Sequence, residues 1–226
     1  MASLVFLIDI DNTLLDNDRV AADMSSQILQ FAGVDGSEQF WNVYEVVRQE
    51  FGYVDVPVTL RRFRTLRPDL RTFPQLSAML LGYRFEVDLY PQALEVVEHL
   101  KRSGTVVVLS DGDPVFQPAK VARIGVADAV DNNVLIYAHK EQHLEEVISL
   151  YRAEHYVLID DKPDILASVK QVLQDRVTTI HVRQGKYAAA QNRPDPRPDV
   201  TLDSIADVLE LDEGDFLKGR PDPSRA

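Results

Sequence analysis

The sequence predicts an α/β fold in which a parallel sheet core is interrupted, just after its first strand, by a helical insertion. Three observations support this. Residues 4–8 form a short run that is apolar on both faces, as expected of a strand buried inside a parallel sheet. Over residues 20–82 the apolar spacing is helical, broken by Gly33, Gly36, Gly52, Pro57, Pro68 and Pro74, which leaves room for three or four helices. Beyond Pro91 helical and apolar stretches alternate in the rhythm of βαβ units.

Along the chain, the pattern predicts a helix over 91–102, a strand over 105–109 and a helix over about 114–124. A strand-like run at 134–137, a helix over about 140–151, a strand at 156–159, a helix over 163–173 and a strand at 177–182 follow. Residues 185–198 are rich in Gln, Asn, Arg and Pro and read as a surface loop, before a short helix at 205–211. The expected organisation is a core of residues 1–15 and 87–212, a helical insertion of residues 16–86, and a flexible C-terminal tail of residues 213–226.

Composition narrows the function. The chain has 226 residues, enough for one main domain carrying an insert. Its longest apolar runs are strand-sized and no basic leader precedes Leu4, so neither a membrane span nor a secretory signal is expected. A formal net charge of −12 argues against a nucleic-acid partner, whose affinity comes from clustered Lys and Arg. The absence of cysteine excludes thiolate chemistry and suits a reducing compartment, so a cytoplasmic address is expected.

In open parallel sheets ligands bind beyond the carboxyl ends of the strands. Three apolar runs end in polar residues there: Asp9-Ile10-Asp11-Asn12-Thr13, Ser110-Asp111-Gly112, and Asp160-Asp161-Lys162-Pro163-Asp164. Lys140 opens the helix after the 134–137 run. If Asp9, Asp11, Asp160 and Asp161 converge, two carboxylates about 4 Å apart repel by roughly 4 kcal/mol at an effective dielectric of 20. Such a cluster calls for a cation, and hard oxygen ligands without cysteine favour magnesium over zinc.

This constellation resembles the haloacid dehalogenase superfamily over residues 4–182: an Asp-x-Asp-x-Thr loop, a Ser after the second strand, a Lys and an acidic pair, in that order. The resemblance implies a Rossmann-like core whose insertion is an α-helical cap. It further implies a Mg2+-dependent phosphatase of a small phosphorylated metabolite, in which Asp9 attacks phosphorus to form an aspartyl-phosphate. Asp11 then protonates the leaving oxygen, activates the hydrolytic water, and offers its backbone carbonyl to the metal. Ser110 and Lys140 hold the phosphoryl oxygens, and Asn12, Thr13, Asp111 and Gly112 complete the phosphate-binding surface. Asn stands at position 12, where the family's phosphatases commonly have Gly, and Asn tolerates the left-handed backbone best among the other residues. The acidic pair is Asp160 with either Asp161 or Asp164; the adjacent pair is favoured, with Asp161 as the direct metal ligand.

Plainer readings stand beside these. A lone Asp at a strand end is often a cap or turn former, and Lys140 fits a solvated first helical turn. Arg61, Arg62, Arg64, Arg67 and Arg71 in the insertion read as a solvated face before they read as a substrate-binding patch. His139, His143, His155 and His181 lack metal-ligand spacing, and Trp41, Tyr44 and Phe51 read as packing within the insertion. The alternatives are a phosphotransferase or phosphomutase, a 2-haloacid dehalogenase, or a catalytically silent binding protein. Asp11 speaks against dehalogenation, because a halide leaves without a proton. Monomer and homodimer both stay open.

Overall fold

The computed structural model describes residues 3–188 and 195–219. Strand β1 (Leu4–Ile8) is buried at all five residues, and its alternate side chains enter two different cores. Leu4, Phe6 and Ile8 join the cluster on one face of the sheet, while Val5 and Leu7 join the cluster on the other. A strand coated on both faces has no polar face to show, which is why the run is continuously apolar.

The sheet also contains β2 (Thr105–Asp111), β3 (Val134–Tyr137), β4 (His155–Asp160), β5 (Val177–Val182) and β6 (Val200–Leu202). Its order is β3-β2-β1-β4-β5-β6 and every pair is parallel. Ile8, the last residue of β1, lies opposite Val108 on one side and Ile159 on the other, so β2 and β4 run on past the end of β1. This register sets Asp9 level with Leu109 and Asp160, one residue short of Ser110. Both β2 and β4 are longer than their apolar cores: Ser110, Asp111 and Asp160 continue the ladder rather than following it.

Between β1 and β2 lie α1 (Asn17–Phe51), α2 (Val56–Leu66) and α3 (Phe73–Leu81). Asp16 starts α1 by accepting the Arg19 N–H, Gly33 kinks it at φ 72°, and Gly52 ends it in the left-handed conformation. Asp55, with Pro57 behind it, starts α2. The three helices enclose a core of their own, including Ile28, Phe40, Leu60, Phe63 and Leu76. The insertion stands on a paired stem. Leu15 bridges Leu89 in antiparallel fashion, the Asp16 N–H donates to Asp88, and the Tyr90 N–H donates to Leu14.

After the stem come α4 (Ala93–Lys101), α5 (Phe116–Arg123), α6 (Val126–Ala129), α7 (Leu144–Leu150) and α8 (Pro163–Leu173). The helix expected over 140–151 begins instead with a separate 3-10 turn at Lys140–Gln142. Further features depart from the sequence reading: α6 was not expected, and the short helix expected at 205–211 is a 3-10 helix, Ile205–Glu210. β6 adds an unexpected sixth strand. The expected flexible tail is in part docked: Glu213–Phe216 forms α9, and the ring of Phe216, 1% exposed, meets Phe6 edge-on at 5.0 Å. One buried aromatic anchors this otherwise polar stretch; residues 220–226 lie outside the described residues. Among the described residues no helix is long and apolar enough to cross a membrane.

Candidate active site

The loop after β1 folds back on itself: the N–H groups of Thr13, Leu14 and Leu15 all donate to the Ile10 carbonyl. Asn12 takes the left-handed conformation at φ 63°, and its side-chain amide exchanges two hydrogen bonds with Asp18 at the start of α1. The Asn12 side chain therefore ties the loop to the insertion rather than standing free for a ligand. Thr13 is fully buried and its hydroxyl has no hydrogen-bond partner.

Asp9 is 1% exposed, and its Oδ1 is 2.5 Å from Lys140 Nζ. The same ammonium is 2.6 Å from Asp160 Oδ2 and donates to the Leu109 carbonyl. Lys140 is wholly buried, which corrects the solvated-turn reading. Burial works to lower its pKa, but Asp160 and Asp9 more than offset this and hold it above the ordinary lysine range. The other oxygen of Asp9 has no partner. Burial, against the pull of Lys140 and with the push of Asp160, raises Asp9 to about 6.

Asp161 lies alongside, buried, with neither carboxylate oxygen hydrogen-bonded. Desolvation first, then the charges of Asp160 and Asp9, push it up to about 9. Oxygens of Asp9, Asp160 and Asp161 lie within 4.8 Å of one another. Asp160 is occupied on both sides, by Lys140 and by the Lys162 N–H at 2.8 Å. Asp164 is exposed in the first turn of α8. Unpartnered buried oxygens on Asp9 and Asp161 are the donor set a hard divalent cation takes, so the residues fit magnesium. Charge gives the same answer. Asp9, Asp11, Asp111, Asp160 and Asp161 face Lys120, Lys140 and Lys162, leaving two negative charges uncompensated when all are ionised.

The carboxylate of Asp11 lies outside that cluster. Lys120 Nζ is 2.5 Å from its Oδ1, and Gln117 Nε2 donates to its Oδ2 at 3.1 Å and to Ser110 Oγ at 3.3 Å. Ser110 is 1% exposed. Asp111 accepts from the Lys140 N–H and from Lys162 Nζ, both at 3.0 Å. Although burial opposes it, Lys140 and Lys162 lower its pKa below the ordinary carboxylate value. Asp111 thus braces the two lysines. Gly112 departs from its expected role, since its N–H is taken by the Tyr137 carbonyl. With φ at 157°, it leaves room for the Gln117 stem, which a Cβ would meet at 2.7 Å.

Neither Gln117 nor Lys120 was legible as a site residue. They stand three positions apart on one face of α5, and the only available signal was that spacing on a helix following Ser110. Lys162 was visible in its motif but not as the partner of Asp111. The arginines divide otherwise: Arg62 pairs with Glu50, Arg67 with Asp69, and Arg64 binds backbone carbonyls within the insertion. Tyr44 of α1 comes nearer the chemistry. Burial, then Glu45 and, after the opposing Arg48, Asp11, raise its phenol to about 12. His143 stacks on Tyr137 and His181 meets the Asp161 carbonyl, so neither joins the carboxylate cluster.

Comparison with known proteins agrees with this architecture. The family model for haloacid dehalogenase-like hydrolases matches residues 4–182. No curated protein matches the sequence. A haloacid dehalogenase-like hydrolase of Burkholderia xenovorans is 43% identical, with a TM-score of 0.85 over 94% of this chain and 100% of that one. A Bacillus subtilis HAD-hydrolase with bound magnesium shares the fold at 13% identity and a TM-score of 0.62, covering 93% of this chain and 98% of its own. The L-2-haloacid dehalogenase of Xanthobacter autotrophicus does so at 19% identity and 0.59, again covering 93% and 98%. The chain belongs to the haloacid dehalogenase-like hydrolases.

Proposed function

We propose that this hydrolase is a magnesium-dependent phosphatase of a small phosphorylated metabolite, acting through an aspartyl-phosphate on Asp9. The observation that carries this reading is the set of buried, unpartnered carboxylate oxygens, Oδ2 of Asp9 and both of Asp161, beside a second acid at Asp11. A halide-displacing site needs neither a cation nor that second acid. Lys140 holds Oδ1 of Asp9 and leaves Oδ2 without a donor, so the carboxylate is oriented through one oxygen and open through the other. Asp9, Asp161 and the Asp11 carbonyl would hold the ion, with Asp160 beside them. When bound, magnesium neutralises charge on the transferring group. Ser110 and Lys140 supply a hydroxyl and an ammonium to the phosphoryl oxygens, and Thr13 adds a buried hydroxyl. Asp11 gives a proton to the leaving oxygen and later takes one from water. We read the insertion as the cap that covers this site, and a cytoplasmic address as part of the same proposal, resting on the cysteine-free composition.

The test is phosphate release from para-nitrophenyl phosphate, with and without magnesium, beside release of halide from 2-chloropropionate. Magnesium-dependent phosphate release is expected; halide release alone would replace this reading with dehalogenation. A second test needs no turnover. Magnesium at 100 times its Kd stabilises the fold by about 2.7 kcal/mol, a rise in Tm of roughly 5–10 °C. Asp161→Asn is expected to melt at or above the wild-type temperature without magnesium, because Asp161, pushed up to about 9, must take up a proton to fold at neutral pH and the amide need not, and to lose the rise. An equal rise in the variant would exclude Asp161 as a ligand.

A further inference from the structure

We propose that Lys120 is the positioning residue of Asp11, fixing the acid's carboxylate for proton transfer with the help of Gln117; this rests on the phosphatase reading above. Lysine is almost never buried unless paired, and Lys120, on α5, is 5% exposed. Its ammonium meets the Asp11 carboxylate at 2.5 Å, while Gln117 takes the other oxygen and bridges to Ser110. Lys120 fixes Oδ1, and Oδ2, which shares the Gln117 amide with Ser110, is the oxygen that carries the proton to the leaving group and receives one from the hydrolytic water, the amide then turning to Ser110 alone. Without these partners a side chain on the loop after β1 would be free to rotate toward solvent or toward the Asp9–Asp161 cluster.

The helix carrying the two partners is itself fixed at both ends. Asp113, 3% exposed, accepts the Val115 and Phe116 N–H groups at 2.9 and 2.7 Å, and Gly112 admits the Gln117 stem. Toward the insertion, Lys120 Nζ lies 5.6 Å from the centre of the Phe85 ring, and Arg123 donates to the Leu81 carbonyl at 2.6 Å. The ammonium is therefore held between an aromatic ring at the insertion's exit and the acid. Any buried ammonium needs a counter-charge; what marks this one is that its partner is Asp11 and that the neighbouring Gln117 joins Asp11 to Ser110.

A proton donor matters most when the leaving group is basic, so the test compares phenyl phosphate with para-nitrophenyl phosphate in magnesium. Lys120→Met keeps the apolar stem, and its Tm is measured alongside to establish folding. The variant is expected to lose on the order of 10²-fold in kcat on phenyl phosphate, but at most about threefold on the nitrophenyl ester, the lower end of what a general acid supplies. Lys120→Arg is expected to recover most of the loss. In an Asp11→Asn background, Lys120→Met is expected to change neither ester further. An equal loss on both esters, a change in KM alone, or full additivity with Asp11→Asn would overturn the assignment while the phosphatase reading stands. No phosphate release by the wild type from either ester would overturn both.

Discussion

Replacement of Asp9 by Asn is expected to lower phosphate release by about 10⁴-fold or more, about 5.4 kcal/mol of transition-state stabilisation, without unfolding the protein. The amide is nearly isosteric with the carboxylate. Its oxygen still accepts the Lys140 hydrogen bond, and its nitrogen replaces Oδ2, an atom with no partner to lose. Lys140 keeps Asp160 as counter-charge, so the Tm is expected to stay within a few degrees. Steady-state release and a thermal melt, run together, separate loss of the nucleophile from loss of the fold. Turnover within tenfold of wild type would end the aspartyl-phosphate mechanism.

Removing the lysine is expected to act on stability and rate at once. Lys140→Met leaves Asp9 and Asp160, both essentially unexposed, facing each other without the ammonium that now lies within 2.6 Å of each. Breaking a buried pair from one side costs about 3–5 kcal/mol, or roughly 10 °C in Tm for a chain of this size. Magnesium is expected to recover part of that, since it supplies positive charge to the same carboxylates. Activity is expected to fall on the order of 10²–10³-fold even with saturating magnesium, the usual loss when one preorganised donor to a transferring group disappears. A variant that melts like wild type would show that Lys140 does not neutralise the acidic cluster.

The sheet was largely readable from the chain because parallel strands buried on both faces write uninterrupted apolar runs, and β1 and β5 were found with the ends they have in the structure. The ends of β2 and β4 were misplaced because Ser110, Asp111 and Asp160 keep ladder geometry while carrying polar side chains for the site. β6 spans only three residues, too few for any periodicity. Phe216 lies among charged neighbours, and only the tertiary contact with Phe6 distinguishes it from a frayed end. Asp9, Asp11, Ser110, Lys140, Asp160 and Asp161 stood out as polar residues at or near strand ends. Gln117 and Lys120 reach the same place from a helix, and on a helix a buried lysine and a solvated one look alike until the fold supplies Asp11 as a partner.

The order of the sheet also bears on how the protein is made. β1 is central, yet its neighbours start at Thr105 and His155, far later in the chain. At 5–20 residues per second, roughly 5–20 s of synthesis separate β1 from the first strand that can pair with it. During that interval five consecutive apolar residues wait with both edges open. The insertion helices, whose contacts are local, are complete in the meantime and can form while the sheet cannot. The strand that ends at the proposed nucleophile is therefore a segment of the nascent chain that a chaperone's cover would protect.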